Sequence, residues 1–165
     1  NELIAHTTCK LLDTRKTTPG FRYFEKLAVK QGGGVNHRFG LFDMIMIKDN
    51  HVDYAGGIKS ALARTFDFQA QNKLNLKVEI ETRNLEEVKQ VLESGFEVHR
   101  IMLDNYAIDD LTKAVKLIGT FCETEASGGI DATTIKDYAE TGVDYISMGA
   151  LTHTYRSLDL SLKAI

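Results

Sequence analysis

A chain of 165 residues is long enough for one domain with an apolar core of its own. With 43% hydrophobic and 26% charged residues it is an ordinary water-soluble globular chain, which excludes a disordered or fibrous one. The net charge of -3 argues against a nucleic-acid footprint, and no apolar run approaches membrane-spanning length, so neither nucleic acid nor membrane is an expected partner. No signal peptide is read, and the start at Asn1 rather than Met suggests a trimmed or partial chain. Cys9 and Cys122 lie in separate apolar runs, so buried free thiols and a reducing, cytoplasmic compartment are expected.

The charge is unevenly spread. Residues 15–48 hold seven Lys/Arg against two Asp/Glu, a local +5; the remainder holds 13 against 21, a local -8. A basic segment in an acidic chain suggests a small anionic ligand.

In chain order, residues 1–9 read as the tail of a helix, and residues 10–165 as one domain. Six short apolar runs follow, at 10–13, 44–48, 76–81, 100–104, 120–125 and 144–148. Each is too short for a helix and rich enough in Ile, Leu, Val or Met for a buried parallel strand. Between them, helical spacing predicts helices over 57–71, 85–94, 108–118 and 132–140, with Asp131 as a cap and Gly95 and Gly142 as stops. The long stretch 17–42 breaks the rhythm; its middle, 21–31, reads as a helix ended by Gly32-Gly33-Gly34, and a loop this long over an active-site mouth is usually functional. Near the carboxyl end, Leu158, Leu160 and Leu162 alternate as a closing strand would.

Strand–helix alternation predicts an α/β fold with a parallel sheet. Nearly every strand ends in a polar residue that a core would not select, which favours an incomplete β/α barrel with its active site at the carboxyl ends of the strands. An open doubly wound sheet would bring only two or three such ends together. Six strands fall short of eight, so the barrel is incomplete.

Three groups of residues can carry chemistry. Arg15, Lys16, His37, Arg38 and Lys48 form a cationic set in which two guanidinium forks suit carboxylate or phosphate. Glu79 and Glu81 share one strand face, with Asp104 at the next strand's end; paired carboxylates there can bind Mg²⁺, hold sugar hydroxyls or stabilise an oxocarbenium ion. Ser127-Gly128-Gly129 and Ser147-Met148-Gly149-Ala150 are glycine turns before helical pieces, suited to cradling phosphate. The cysteines and histidines lack zinc-ligand spacing, and His51, His99 and His153 read as structural.

The segments Leu12-Asp13-Thr14-Arg15-Lys16-Thr17-Thr18-Pro19-Gly20, Gly32-Gly33-Gly34-Val35-Asn36-His37-Arg38 and Met46-Ile47-Lys48-Asp49-Asn50-His51 resemble the quinolinate phosphoribosyltransferases. Glu125-Ala126-Ser127-Gly128-Gly129 and Ile146-Ser147-Met148-Gly149-Ala150-Leu151-Thr152 extend the resemblance in the same order. It implies a seven-stranded incomplete barrel that joins quinolinate to phosphoribosyl pyrophosphate with Mg²⁺, releasing pyrophosphate and carbon dioxide and giving nicotinate mononucleotide for NAD biosynthesis. It also implies roles. Thr14, Arg15, His37, Arg38 and Lys48 fall at the quinolinate site, and Lys16 at the phosphoribosyl donor. Glu81 and Asp104 are the ribose and Mg²⁺ carboxylates, and Ser127, Gly128, Gly129, Gly149 and Ala150 the 5'-phosphate cradle. Lys16, Lys48, Glu81 and Asp104 are the candidate catalytic set. The resemblance further implies a homodimer or higher homo-oligomer, and an amino-terminal domain of which nothing here is a match. The alternatives are a related phosphoribosyltransferase for another acid, a Schiff-base aldolase using Lys48, or a non-catalytic anion-binding barrel.

Overall fold

The computed structural model describes residues 1–164. Its strands are β1 (Lys10–Leu12), β2 (Ile45–Ile47), β3 (Val78–Thr82), β4 (Arg100–Asp104), β5 (Glu123–Ser127) and β6 (Tyr145–Ser147), all paired in parallel in the order β1-β6-β5-β4-β3-β2. From β2 to β6 each strand lies beside its successor, and β1 pairs with β6. That is the winding of a barrel with one seam, between β1 and β2, as the incomplete barrel requires. Val35 occupies part of the seam: its amide donates to Leu11 O at 2.8 Å and its carbonyl accepts from Asp13 N at 3.2 Å, on the edge of β1 away from β6.

The helices are α1 (Arg22–Gln31), α2 (Asp49–Ala55), α3 (Ile58–Gln71), α4 (Leu85–Leu92), α5 (Ile108–Ile118), α6 (Ile135–Ala139) and α7 (Ala150–His153). Outward strand residues, among them Leu11, Ile80, Ile101, Leu103 and Ile146, pack against helix residues such as Leu62, Val88, Val91 and Leu111 in one apolar layer. That layer is the core. Leu85, Val88, Val91 and Leu92 recur on one face of α4, which starts where Asn84 Oδ1 accepts the Glu87 amide at 3.0 Å. Gly95 and Gly142 adopt positive φ (81° and 87°) just beyond α4 and α6, as expected of stops.

Three expectations need correction. Asp131 does not cap a helix beginning at 132: Oδ1 accepts the Thr133 and Thr134 amides in a turn, and α6 begins only at Ile135. Residues 49–55, for which the sequence pattern predicts no helix, form α2, which follows β2 after the single residue Lys48 and is closed by Gly56 at φ 86°. No strand forms at Leu158, Leu160 and Leu162; the three side chains are 79%, 84% and 102% exposed, and alternation without a neighbouring edge yields no ladder. At the other end, the segment before β1 contains a 3-10 turn, Glu2–Ile4. Cys9 is buried and Cys122 half-buried, both free, and burial pushes each thiol up to about 12.

Candidate active site

Parallel register places alternate side chains of each strand inside the barrel. The inner row made by Glu79, Arg100 and Glu123 is ionic rather than aliphatic, and Glu125, one step nearer the mouth, joins it. Arg100 donates from Nη1 to Glu125 Oε2 (2.7 Å) and from Nη2 to Glu123 Oε2 (2.8 Å), with its guanidinium 4.0 Å over the Tyr145 ring. His37 enters from the seam; its Nε2 lies 3.1 Å from Glu79 Oε2 and 3.4 Å from Glu125 Oε2. Burial opposes the charged imidazole, yet Glu125 and Glu79 outweigh it and push His37 up to about 9. Glu79 is fully buried, and burial, with Glu125 nearby, pushes it up to about 7.

His37, Glu79 and Glu125 bring three possible metal-ligand atoms within 4.8 Å of one another, a grouping from three separate elements that ligand spacing cannot reveal. A metal would need the Nε2 lone pair. However, in the neutral ring the Arg38 amide, 2.6 Å from Nδ1, donates to it and leaves the ring proton on Nε2; in the charged ring both nitrogens are protonated and that contact opens, so Nε2 carries a proton in either state. The cluster therefore holds a proton where a metal would have to bind.

Both shifts set the sign of a pH effect. The His37 contribution to stability is complete below about 6.5 and is lost as pH rises through about 9. The protonated Glu79 contribution is likewise lost as pH rises from about 4.5 through about 7. Thermal melting should therefore show a midpoint falling by roughly 5 °C between about pH 6.5 and about pH 9, with a smaller fall in Glu79→Gln. A flat midpoint across that window would contradict the buried proton.

Above the ionic layer the strand ends open into a cavity of about 750 Å³. The candidate residues Thr14, Arg15, Lys16, His37, Arg38, Lys48, Glu81, Asp104, Ser127, Gly128, Gly129, Gly149 and Ala150 line it, whereas Glu79, grouped with Glu81 from the sequence, does not: it is fully buried in the ionic layer beneath. Glu125, Met46, Asn105 and His153 line it too and were not anticipated. Arg15, Lys16 and Arg38 have no ion pair among the described residues, and Arg15 Nε is buried with no partner. Burial first, then the like charge of Arg15, lowers the pKa of Arg38. Arg38 reaches across the seam to Met44 O (3.2 Å) and Met46 Sδ (3.5 Å). Lys48 is held at 2.5 Å by Glu81, which also accepts the Asp49 amide. Asp104 stands further along the same inner face, bonded by the Asn105 amide group at 2.7 Å. His51 proves structural, its Nδ1 accepting the Lys48 amide at 3.0 Å, and His99 faces Glu123.

The glycine turns are shaped for close approach. At Gly128, φ is 101°, and a Cβ would run into the Asn105 side chain and lie 2.8 Å from the Asn105 backbone nitrogen, so no other residue fits without strain. Asn105 itself takes φ 57° to donate its amide to Ser127 O at 2.8 Å. Among the described residues, the amides of Gly128, Gly129, Gly149 and Ala150 donate to no other backbone group.

Residues 1–163 match the family model described as "Quinolinate phosphoribosyl transferase, C-terminal domain". This chain belongs to that family. It is 52% identical over 172 aligned residues to the chloroplastic carboxylating nicotinate-nucleotide pyrophosphorylase of Oryza sativa subsp. japonica, covering 96% of this chain and 46% of that protein. The probable carboxylating nicotinate-nucleotide pyrophosphorylase of Bacillus subtilis is 47% identical, with 93% of this chain and 51% of that protein covered. Among solved structures, the nicotinate-nucleotide pyrophosphorylase of Francisella tularensis superposes with a TM-score of 0.90 at 44% identity, over 97% of this chain and 55% of that one. The chain thus spans about half the length of the relatives it matches.

Proposed function

We propose that this chain forms the barrel of an enzyme that transfers the phosphoribosyl group of phosphoribosyl pyrophosphate to quinolinate, with loss of carbon dioxide, in NAD biosynthesis. The observation that carries the reading is the set of unpaired cations, Arg15, Lys16 and Arg38, around a cavity that also presents Glu81, Asp104 and free backbone amides. Arg15 and Arg38 are half-buried and Lys16 is exposed, and guanidinium groups withdrawn even partly from water without a counter-ion cost desolvation and mutual repulsion that an anion relieves. A dicarboxylate meets two guanidinium forks best, which favours quinolinate over a monoacid.

On this reading Arg15 and Arg38 orient the quinolinate carboxylates, while Lys16 faces the donor. The amides of Gly128, Gly129, Gly149 and Ala150 receive the 5'-phosphate. Glu81 and Asp104 stand where positive charge develops on the ribose as pyrophosphate leaves, and the pyridine nitrogen captures that carbon. Catalysis then rests on positioning and electrostatics. Two carboxylates on adjacent strands, with no nitrogen or sulfur ligand between them, suit a hard cation, so Glu81 and Asp104 would hold Mg²⁺. Bound there, Mg²⁺ supplies charge neutralisation for the pyrophosphate.

The geometry disfavours an aldolase. Lys48 Nζ is tied to Glu81 Oε1 at 2.5 Å, whereas Schiff-base chemistry needs that nitrogen turned to a carbonyl carbon. Phe21, Tyr23, Phe24, Leu41 and Phe42 are all more than half exposed, an apolar face that supports burial against a partner in a homo-oligomer. Among the described residues, no helix is long and apolar enough to cross a membrane.

The test is isothermal titration of the full-length protein with quinolinate and with nicotinate. Quinolinate is expected to bind at least about tenfold more tightly, the worth of one further charge-assisted contact. Equal affinities would remove the dicarboxylate reading.

A further inference from the structure

Helix α1 lacks the usual reason for docking. Tyr23, Phe24 and Leu27 are exposed, and its one buried residue is a lysine, Lys26, 3% exposed. A buried ammonium is costly unless its partners repay the lost hydration. Those partners define what α1 does.

Lys26 Nζ donates to Asp13 Oδ1 at 2.5 Å and to His37 O at 3.0 Å. Asp13, fully buried at the end of β1, also accepts the His37 amide at 2.8 Å and Asn36 Nδ2 at 2.6 Å. The His37 residue is thereby gripped at both its N–H and its C=O. Asn36 Nδ2 returns a bond to Lys26 O at 2.8 Å. One turn earlier on α1, Arg22 donates to Arg15 O (3.2 Å), Thr17 Oγ1 (3.0 Å) and Phe39 O (3.1 Å). Residues four apart on a helix share a face. Neither side chain lines the cavity.

We propose that Arg22 and Lys26 are positioning residues: α1 uses them to fasten the loop carrying Arg15 and Lys16 to the loop carrying His37 and Arg38, and so fixes the spacing of the guanidinium forks. The function of that spacing, recognition of quinolinate, rests on the reading above; the clamp itself does not. Guanidinium groups on separate loops repel, and only a tie between the loops holds them at the separation a dicarboxylate needs. The donor's contacts through Glu81, Asp104 and the glycine turns lie on strands that α1 does not fasten, and Lys16, although on the clamped loop, is held separately by Thr152 of α7, whose Oγ1 donates to Lys16 O at 2.7 Å.

Lys26→Met and Arg22→Gln in the full-length protein test this. Amide exchange should quicken at least about tenfold at His37 in Lys26→Met, with the β4 amides unchanged. The quinolinate KM should rise about tenfold while that of phosphoribosyl pyrophosphate stays within about twofold, because small displacements of binding groups are costly. Unchanged KM values beside a lowered melting midpoint would reduce the clamp to a structural tie, and equal rises in both would deny its selectivity; either overturns the proposal. If Lys26→Met does not fold, Arg22→Gln, at a half-buried position, decides by the same KM comparison. If the wild-type protein ignores quinolinate, the functional reading fails, and unchanged exchange at His37 in the variant still overturns the clamp separately.

Discussion

Replacing Arg100 with methionine should destabilise the protein by about 3–5 kcal/mol, measured by urea unfolding at neutral pH. Arg100 is 5% exposed and bridges Glu125 and Glu123, sharing Glu125 with His37. Its loss leaves Glu125 and Glu79 buried side by side with only His37 opposing them. Methionine fills much of the volume, so packing loss is the smaller part. The defect should shrink in acid, because protonation relieves a carboxylate that has lost its partner. Adding Glu125→Gln to Arg100→Met should restore part of the stability, since the uncompensated charge is then gone. A loss below about 1 kcal/mol for Arg100→Met would mean the inner layer is hydrated enough to do without its cation.

That ionic layer marks the limit of what the sequence made legible. The strand ends were readable because Asp13, Lys48 and Asp104 follow apolar runs directly, where a core would place nothing charged. Their convergence then followed from barrel winding. The inner layer was written in the same alphabet, as Glu79 and Glu81, Arg100 and Asp104, Glu123 and Glu125 alternating with Ile, Leu and Ala. Period-two charge inside strands of a buried parallel sheet is the signal, since the outer face must go to the helices and the charge must point inward. Pairing was not readable, because which acid meets Arg100 depends on register and on His37 arriving from the seam. The roles of Arg22 and Lys26 were hidden for a similar reason: on a helix with Phe24 and Leu27 they look like solvated cations, and only the fold shows that the lysine is inside and the aromatics outside. Leu158, Leu160 and Leu162 show the converse error, a correct period with no neighbouring strand to pair with.

Arg38→Ala in the full-length protein should lower kcat/KM for quinolinate by about 10²–10⁴-fold, the worth of truncating one partner of a desolvated charge pair. The affinity for phosphoribosyl pyrophosphate should move little. Folding should not carry the effect, because the substitution also removes the repulsion between Arg38 and Arg15, which offsets the bonds lost to Met44 and Met46. Arg38→Lys is the sharper experiment. Lysine keeps the charge but has no fork, and cannot both span the seam to β2 and face a carboxylate. If electrostatic attraction alone drew the substrate in, Arg38→Lys would recover most of the activity. The geometry predicts that it recovers less than a tenth of the loss, because Arg38 holds Met44 O through Nη1 and Met46 Sδ through Nη2 and still has further N–H donors for the substrate, which lysine cannot match from one position. A loss below about tenfold in Arg38→Ala would instead transfer the recognition of quinolinate to Arg15 and Lys16.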